Sequence, residues 1–304
     1  MARDTVSTVV ERVRRQLNST VRMEVNVLAA SITAADTTLT FDHPLSSSTR
    51  NGSVLSMGNE LLRVLDSSPV AQEVTVLRGW QDSEAEAHTL GTELLVNPRW
   101  TLFDIYDAMF QEIDSWSPDI FDVVNVEAAT TDETNGVELA VEFIDAVGIV
   151  QARRNWTDDQ QALVWPEIPY TLMRGATADW SAATTSGLIV RFTNSGGRAQ
   201  IGNVLLTIGM PYTTTGITDA TVLSTDKRIG ASLLELIELG IKYRLMMDDE
   251  SGRSARNAQD EPRRNEDVPP GAALSLGQVL AQRYERRRSA EVIKFRTRYP
   301  LVTW

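Results

Sequence analysis

The sequence predicts an α+β multidomain protein in which a helical body carries a small β-barrel module and a larger antiparallel β-sandwich, jelly-roll-like module. Two observations lead to this prediction. Apolar residues recur at spacings of three and four near the N-terminus, again after residue 100, and over roughly the last 80 residues, as on the buried face of a helix. Between these stretches, short runs of β-forming residues alternate with period two and are separated by turn dipeptides, as in antiparallel strands. A chain of 304 residues is long enough for two or three domains.

Residues 1–22 predict one short helix. Its apolar residues lie on one face, and Asp4 is the expected N-cap because its carboxylate can accept backbone N–H bonds. A short amphipathic helix needs an apolar surface to pack on, so we expect this one to join other helices. The apolar residues are Val6, Val9, Val10, Val13 and Leu17.

Residues 23–99 change to a period of two and predict short strands. Gly58-Asn59, between SVLSM and ELLRV, is the clearest hairpin turn. About six strands in roughly 75 residues favour a small closed or nearly closed barrel. Residues 100–118 then predict a helix that begins at Thr101 and ends at Ser117-Pro118.

Residues 119–215 return to strand patterning. β-Rich runs from IFDVVNV to VLLTIGM follow one another at intervals of roughly 12 residues, which favours an antiparallel sandwich or jelly roll. The run GVELAVEF is expected to form one of these strands. The pattern leaves the pairing order of the strands open.

Residues 226–304 predict a helical region with a basic C-terminal tail. The segment ASLLELIELGIKYRLMMDD is apolar almost all round, so we expect it to be buried on more than one side. The charged, Gly- and Pro-containing stretch from Asp248 to Gly271 is typical of an exposed loop. A second helix is expected from Ala272 towards Phe295, followed by an extended end, RTRYPLVTW.

Composition argues against most classes of chemistry. There is no cysteine, which excludes disulfides, thiolate zinc sites and cysteine nucleophiles. His43 and His88 are the only histidines, and His43 follows the turn-like Phe41-Asp42. No P-loop, G-x-S-x-G, H-E-x-x-H or G-x-G-x-x-G motif occurs. We therefore predict a protein that is not an enzyme, with no catalytic residue, no cofactor and no metal site.

Two further patterns allow a ligand. Asp158-Asp159 beside Trp156 and Trp165 has the carboxylates and aromatic faces of a sugar site, although core tryptophans and turn-capping aspartates explain the same residues. The acidic run from Asp248 lacks the EF-hand spacing of acids. No run of about 18 apolar residues and no signal-peptide core occurs, so we expect neither a membrane span nor secretory export.

The charge of the chain is uneven. The net charge is −12, which disfavours a protein that coats nucleic acid. The last 22 residues nevertheless contain seven basic and two acidic residues, which is typical of a contact segment and also of a solvated helix face. Arginine mixed with aromatic residues suits stacking on nucleic acid or docking on a protein, and in a mostly acidic chain we favour a protein partner. The candidate contact residues are Arg283, Tyr284, Arg286, Arg287, Arg288, Lys294, Arg296, Arg298, Tyr299 and Trp304.

The segment from Val76 to Pro98 resembles one that recurs in structural proteins of tailed bacteriophages. There, V-x-R-G-x-x-G-[ST]-x-A-x-x-H-x-x-G precedes a final strand. This chain has Arg78-Gly79, Ala87-His88 and Gly91, but QDSE where the pattern places Gly and Thr. The resemblance extends over about 40 residues into NPRWTLFDIYDAMFQEIDSW, which looks like the helix that follows this barrel in phage neck proteins, and the C-terminal helices resemble head-to-tail adaptors.

This resemblance implies a structural role in the virion. It implies a homo-oligomeric adaptor ring, a dodecamer in the family, that joins the portal protein to the tail or stopper protein and lets DNA pass through its lumen without sequence-specific binding. The chain would be made in the host cytoplasm and reside in the virion neck, with its C-terminal segment in the portal. Deletion of residues 283–304 would then abolish portal binding and leave the monomer folded.

Two predictions remain for the loop and for the function. Arg78, Gly79, His88 and Gly91 are expected to form a structural loop that closes the barrel, with a ring nitrogen of His88 bonded to nearby backbone. The alternative function is a carbohydrate-binding component of the phage tail or neck, for which Trp156, Trp165 or Trp180 would have to be exposed. A neck decoration or tail-tube accessory protein is a third possibility.

Overall fold

The structure is a computed structural model of the chain. It describes residues 4–17, 24–130, 136–154, 156–157, 163–164, 167–174, 187–192, 202–259 and 272–303. The chain is α+β, with five α-helices and antiparallel sheets in these ranges. It divides into two compact units, which are Met1–Glu112 with Gly216–Glu285 (unit 1) and Ile113–Thr215 with Arg286–Trp304 (unit 2).

Unit 1 contains a curled antiparallel sheet. Its described strands pair in the order β1-β6-β3-β4-β5-β2. An antiparallel bridge between Leu28 and Phe41, directly after the two edge strands, brings the ends of the sheet together. The sheet is therefore a half-barrel that approaches closure. Its strands are β1 (Glu24–Val27), β2 (Thr38–Thr40), β3 (Val54–Met57), β4 (Glu60–Ser68), β5 (Glu73–Leu77) and β6 (Glu93–Val96).

The predicted hairpin at Gly58-Asn59 is confirmed. Met57 pairs with Glu60, so Gly58 and Asn59 alone form the turn between β3 and β4. The alternation along β4 places Leu62 and Val64 inside the half-barrel. The core they join contains Leu28, Leu39, Phe41, Leu55, Met57, Val74, Val76, Leu94 and Val96.

Helices α1 (Val6–Leu17), α2 (Leu102–Asp114), α3 (Leu223–Asp226), α4 (Ala231–Gln259) and α5 (Ala272–Arg298) complete the helical part of the chain. Two of the three unit boundaries fall within α2 and α5, and the third lies between Thr215 and Gly216. α1 buries its four valines and contacts α4, where Arg12 forms an ion pair with Glu238. The expected N-cap of α1 was wrong, because Thr5 Oγ1 accepts the Thr8 N–H while the Asp4 carboxylate accepts the Ser224 hydroxyl.

Two predicted segment boundaries are corrected by the helices. The expected loop from Asp248 is helical as far as Gln259, and residues 260–271 lie outside the described residues. The chain has no proline between Ala231 and Pro262, and the residues from Asp248 to Gln259 contain one glycine, Gly252, which costs a helix only about 1 kcal/mol. α5 likewise continues to Arg298, so three residues of the expected extended end are helical.

Unit 2 contains two larger antiparallel sheets, with strand orders β15-β9-β14-β7 and β12-β13-β8, and a small pair, β10-β11. The two larger sheets contribute to one hydrophobic core cluster. Only the start of GVELAVEF is a strand, because Val141–Phe143 forms a 3-10 turn. The strands are β7 (Asp122–Thr130), β8 (Gly136–Glu138), β9 (Gly148–Arg154), β10 (Trp156–Thr157), β11 (Leu163–Val164), β12 (Tyr170–Arg174), β13 (Leu188–Phe192), β14 (Gly202–Met210) and β15 (Val302–Thr303).

Candidate functional site

The predicted structural loop centres on a buried carboxylate. Glu60, at the start of β4, is fully buried and accepts two hydrogen bonds from Arg78, at 2.6 Å to Oε1 and 2.8 Å to Oε2. His88 Nε2 lies 2.9 Å from Glu60 Oε2. The side chains of Arg78 and His88 are only 7% and 9% exposed. We call these three residues the Glu60 cluster.

Every N–H of the Arg78 guanidinium is used within unit 1. Besides its two bonds to Glu60, the side chain donates to the carbonyl oxygens of Thr33 and Asp36, each at 2.8 Å, and to that of Glu86. A guanidinium has five N–H groups, and all five have an acceptor here. The arginine therefore ties two separate loop segments, the turn from Thr33 to Asp36 and the loop at Glu86, to the start of β4.

The two predicted glycines and the backbone of His88 complete the loop. Gly79 and Gly91 have φ angles of +62° and +83°, a region that favours glycine. A Cβ on Gly79 would also lie 2.9 Å from the carbonyl oxygen of Ser83. His88 forms an antiparallel bridge with Ile32 through N–H···O bonds of 2.8 and 3.0 Å. All four residues of the predicted loop thus have local contacts that define its path.

The partner of the His88 ring differs from the one expected. The ring nitrogen Nε2 bonds the carboxylate of Glu60 and not nearby backbone, while the backbone of His88 pairs with Ile32. Glu60 was not among the predicted loop residues. Its position in the sequence could have indicated burial, because it lies two residues before Leu62 and therefore on the inward side of an alternating strand. An acid at an inward position requires a buried partner.

The electrostatics of the cluster favour the ionised carboxylate. Burial raises the pKa of Glu60, but hydrogen bonds from Arg78, His88 and the Glu86 N–H outweigh burial, so that the pKa is lowered from its ordinary value. A carboxylate only accepts hydrogen bonds, so His88 donates from Nε2. The Glu60 cluster holds the loop from Arg78 to Gly91 in place through hydrogen bonds within the chain.

We expect the half-barrel to become less stable in acid. A carboxyl with a lowered pKa stabilises the fold above its unfolded-state pKa, about 4.3 for Glu, and this stabilisation is lost as the pH falls through the folded-state value. Hydrogen–deuterium exchange of peptides from residues 54–96 will therefore show protection that falls below about pH 4.5 in the wild type. In Glu60→Gln the same decline will be smaller, whereas a decline as steep as that of the wild type would contradict the assignment.

A second buried carboxylate lies among the helices of unit 1. Glu112 of α2 is fully buried, and both of its oxygens accept the Tyr284 hydroxyl, at 2.8 and 3.1 Å. Arg244 of α4 donates to Oε2 at 3.1 Å, and Tyr243 stacks on the Tyr284 ring with centroids 5.3 Å apart. Sequence reasoning missed Glu112, although it follows the buried Ile105 by seven residues, on the same helix face.

Tyr284 lies inside unit 1. It was among the predicted contact residues, but its side chain is 3% exposed and bonded to Glu112. A buried tyrosine with a satisfied hydroxyl packs the core of its own unit and presents no surface to a partner. Tyr284 is therefore left out of the contact surface proposed below.

The predicted basic tail is part of the folded chain. In unit 2, Arg288 donates to the Ser115 carbonyl and Arg296 bonds Asp119, while Arg287 and Lys294 both pair with Glu291. Tyr299 is half-buried and lies 6.5 Å from Phe121, ring centroid to centroid. Arg283, in unit 1, and Arg286 and Arg298, in unit 2, are exposed and make no ion pair within the described residues. Trp304 lies outside those residues.

The expectation that residues 283–304 can be removed without unfolding the monomer is wrong. Unit 1 would lose Tyr284 from the buried Glu112 carboxylate. Unit 2 would lose Phe295, whose ring lies 5.9 Å from that of Phe121, and β15, which pairs with β9. Point substitutions of exposed arginines therefore test portal binding better than the deletion does, because they leave these internal contacts in place.

The remaining sequence predictions concern a sugar site, metal ions and membrane spans. Nothing is described for the side chains of Trp156, Trp165 and Trp180, so the sugar-site prediction falls outside the described residues. Within the described ranges, no three or more Asp, Glu or His side chains are grouped so as to hold a metal ion. No helix in that part of the chain is long and apolar enough to cross a membrane.

Comparison with protein-family models gives no match, and comparison with curated proteins also gives none.

Proposed function

We propose that this chain is a non-enzymatic structural protein of the neck of a tailed phage, an adaptor in a ring that joins the portal to the tail. The observation that carries the proposal is the Glu60 cluster. Arg78 and His88 lie in the segment that resembles phage structural proteins, and both bond Glu60, which precedes that segment in the chain. Such a cluster fixes the loop that borders the half-barrel, and a structural protein that assembles with others needs a surface of fixed shape.

The proposed arrangement has a helical body from which a barrel and a jelly-roll sandwich extend. Copies of the chain form the ring, the portal lies on one side, and the tail or stopper protein lies on the other. The excess of acidic residues suits a lumen that passes DNA without gripping its phosphates. The protein would accordingly be found in the virion neck.

The proposed portal contact uses exposed cations of α5 in unit 2. Arg286 and Arg298 are free of ion pairs within the described residues, whereas the other basic residues of α5 in unit 2 are engaged with Asp119, Glu291 or Ser115. Unpaired surface arginines can meet carboxylates of a partner without first breaking an internal ion pair.

We expect Arg286→Glu combined with Arg298→Glu to weaken binding to the portal protein by about tenfold or more, because two attractive contacts become repulsive. Co-sedimentation of the purified chain with the portal encoded by the same phage measures this. Arg15→Glu combined with Arg50→Glu, which reverses two exposed arginines of unit 1, is the matched control and should bind as the wild type does. Failure of the wild-type chain to bind the portal, or equal binding by the double variant, would refute the proposed contact.

A further inference from the structure

The outer face of the β4–β5 hairpin carries an exposed patch that the Glu60 cluster does not use. Arg63 and Leu77 are cross-strand partners there, and the Arg63 guanidinium lies 4.4 Å from the centre of the Trp80 ring. Leu65 and Leu77 are each 45% exposed, and Trp80 is half-buried. We call these four residues the Trp80 patch. Trp and Arg are the residue types most enriched among the anchors of protein interfaces.

The loop that presents Trp80 is held in a strained conformation. Gln81 and Asp82 have φ angles of +56° and +62°, which are unfavourable for side-chain-bearing residues. The buried Ser83 clamps the loop, since its hydroxyl accepts the Leu61 N–H at 3.0 Å and donates to the Trp80 carbonyl at 2.9 Å. Trp80 is therefore preorganised, and binding at this patch would cost little ordering of the loop.

The charge of the half-barrel indicates which kind of partner surface the Trp80 patch would bind. Residues 24–98 contain ten Asp and Glu residues but only three arginines, and one of those, Arg78, is buried in the Glu60 cluster. Arg63 thus projects from a strongly acidic module. A two-fold contact centred on Arg63 would bring two like charges together, so the patch fits a different, acidic surface, and the chain itself supplies such a surface.

We propose that the Trp80 patch of one copy docks on an acidic surface of the half-barrel of a second copy, in a head-to-tail contact. A contact between two different surfaces repeats from copy to copy and closes into a ring when the rotation permits. The inference deepens the proposed function by naming the face between neighbouring copies, and it rests on that function for its biological setting. The contact can be tested with the purified chain alone, so its failure is distinguishable from a failure of portal binding.

Sedimentation velocity of the full chain between about 1 and about 200 μM measures the contact. We expect concentration-dependent association, and at least a tenfold higher dissociation constant in Leu77→Glu, which removes apolar area and adds a charge that repels the acidic partner. Val141→Glu is the matched control, because Val141 is 53% exposed, lies in unit 2 outside the half-barrel and acquires the same charge. A monomeric wild type, or equal effects of the two substitutions, would overturn the proposal.

Cross-linking gives a second measurement that does not depend on the stability of Leu77→Glu. Arg63→Lys introduces an amine that a carbodiimide can join to a carboxylate in direct contact. Copies labelled with ¹⁴N and ¹⁵N are mixed before the reaction. Peptides of mixed isotope that join the introduced lysine to an Asp or Glu of the half-barrel are expected, and cross-links found only within single copies would overturn the contact.

Discussion

Replacement of Glu60 by alanine will lower the free energy of unfolding of the half-barrel by about 3–5 kcal/mol. The substitution leaves the Arg78 guanidinium buried without its counter-ion and removes the acceptor of His88 Nε2. Hydrogen–deuterium exchange of peptides from residues 54–96 reports the loss locally, which matters in a chain of two units.

Two variants test the cause of that loss. Glu73→Ala removes an exposed carboxylate of β5 and should change stability by no more than about 0.5 kcal/mol. Glu60→Leu combined with Arg78→Met replaces both charges with apolar groups and should cost less than Glu60→Ala, because no unpaired charge remains. Equal protection in Glu60→Ala and Glu73→Ala would show that the cluster does not stabilise the module.

Gly240→Ala will destabilise the helices of unit 1 by about 1–3 kcal/mol, although alanine normally favours a helix interior. A Cβ on Gly240 would lie 2.5 Å from Oε2 and 2.7 Å from Cγ of the buried Glu112. The carboxylate cannot move away without breaking its bonds to Tyr284 and Arg244. Protection of peptides covering residues 102–112 and 231–247 measures the effect.

Gly277→Ala is the matched control for Gly240→Ala. Gly277 is also within a long helix, but its Cβ would meet only Met247 Sδ at 3.7 Å, an ordinary contact, so we expect no loss and a gain of up to about 1 kcal/mol. In the Gly240→Ala background, Glu112→Ala should cost less than in the wild type, since the clash is then absent. Additive costs would rule out the proposed contact.

Local patterns predicted the elements whose causes are local. The two-residue turn at Gly58-Asn59 and the start of α2 near Thr101 are of this kind, and the structure shows that Thr101 and Asp104 bond each other reciprocally within one turn. The extent of α4 was misjudged for a related reason. A charged composition is typical of loops, yet charged residues are also compatible with an exposed helix, and composition alone does not separate the two.

The C-terminal segment shows a different limit of the sequence. Its basic composition predicted a contact arm, and the structure places Tyr284 in the interior of unit 1 and β15 on the edge of β9 in unit 2. Composition reports which residues can contact a partner, but not which of them the chain uses for its own packing. Only the exposed arginines remain for the proposed portal contact.

The sequence by itself determined the α+β class and the positions of most helices and of the strands in the half-barrel, because periodicity and turn chemistry act over a few residues. The tertiary structure alone decided the partners of the buried carboxylates. Glu60 meets His88 from 28 residues away, and Glu112 meets Tyr284 from 172 residues away. Burying a charge requires a counter-charge or donor in space, and the distance along the chain does not enter that requirement.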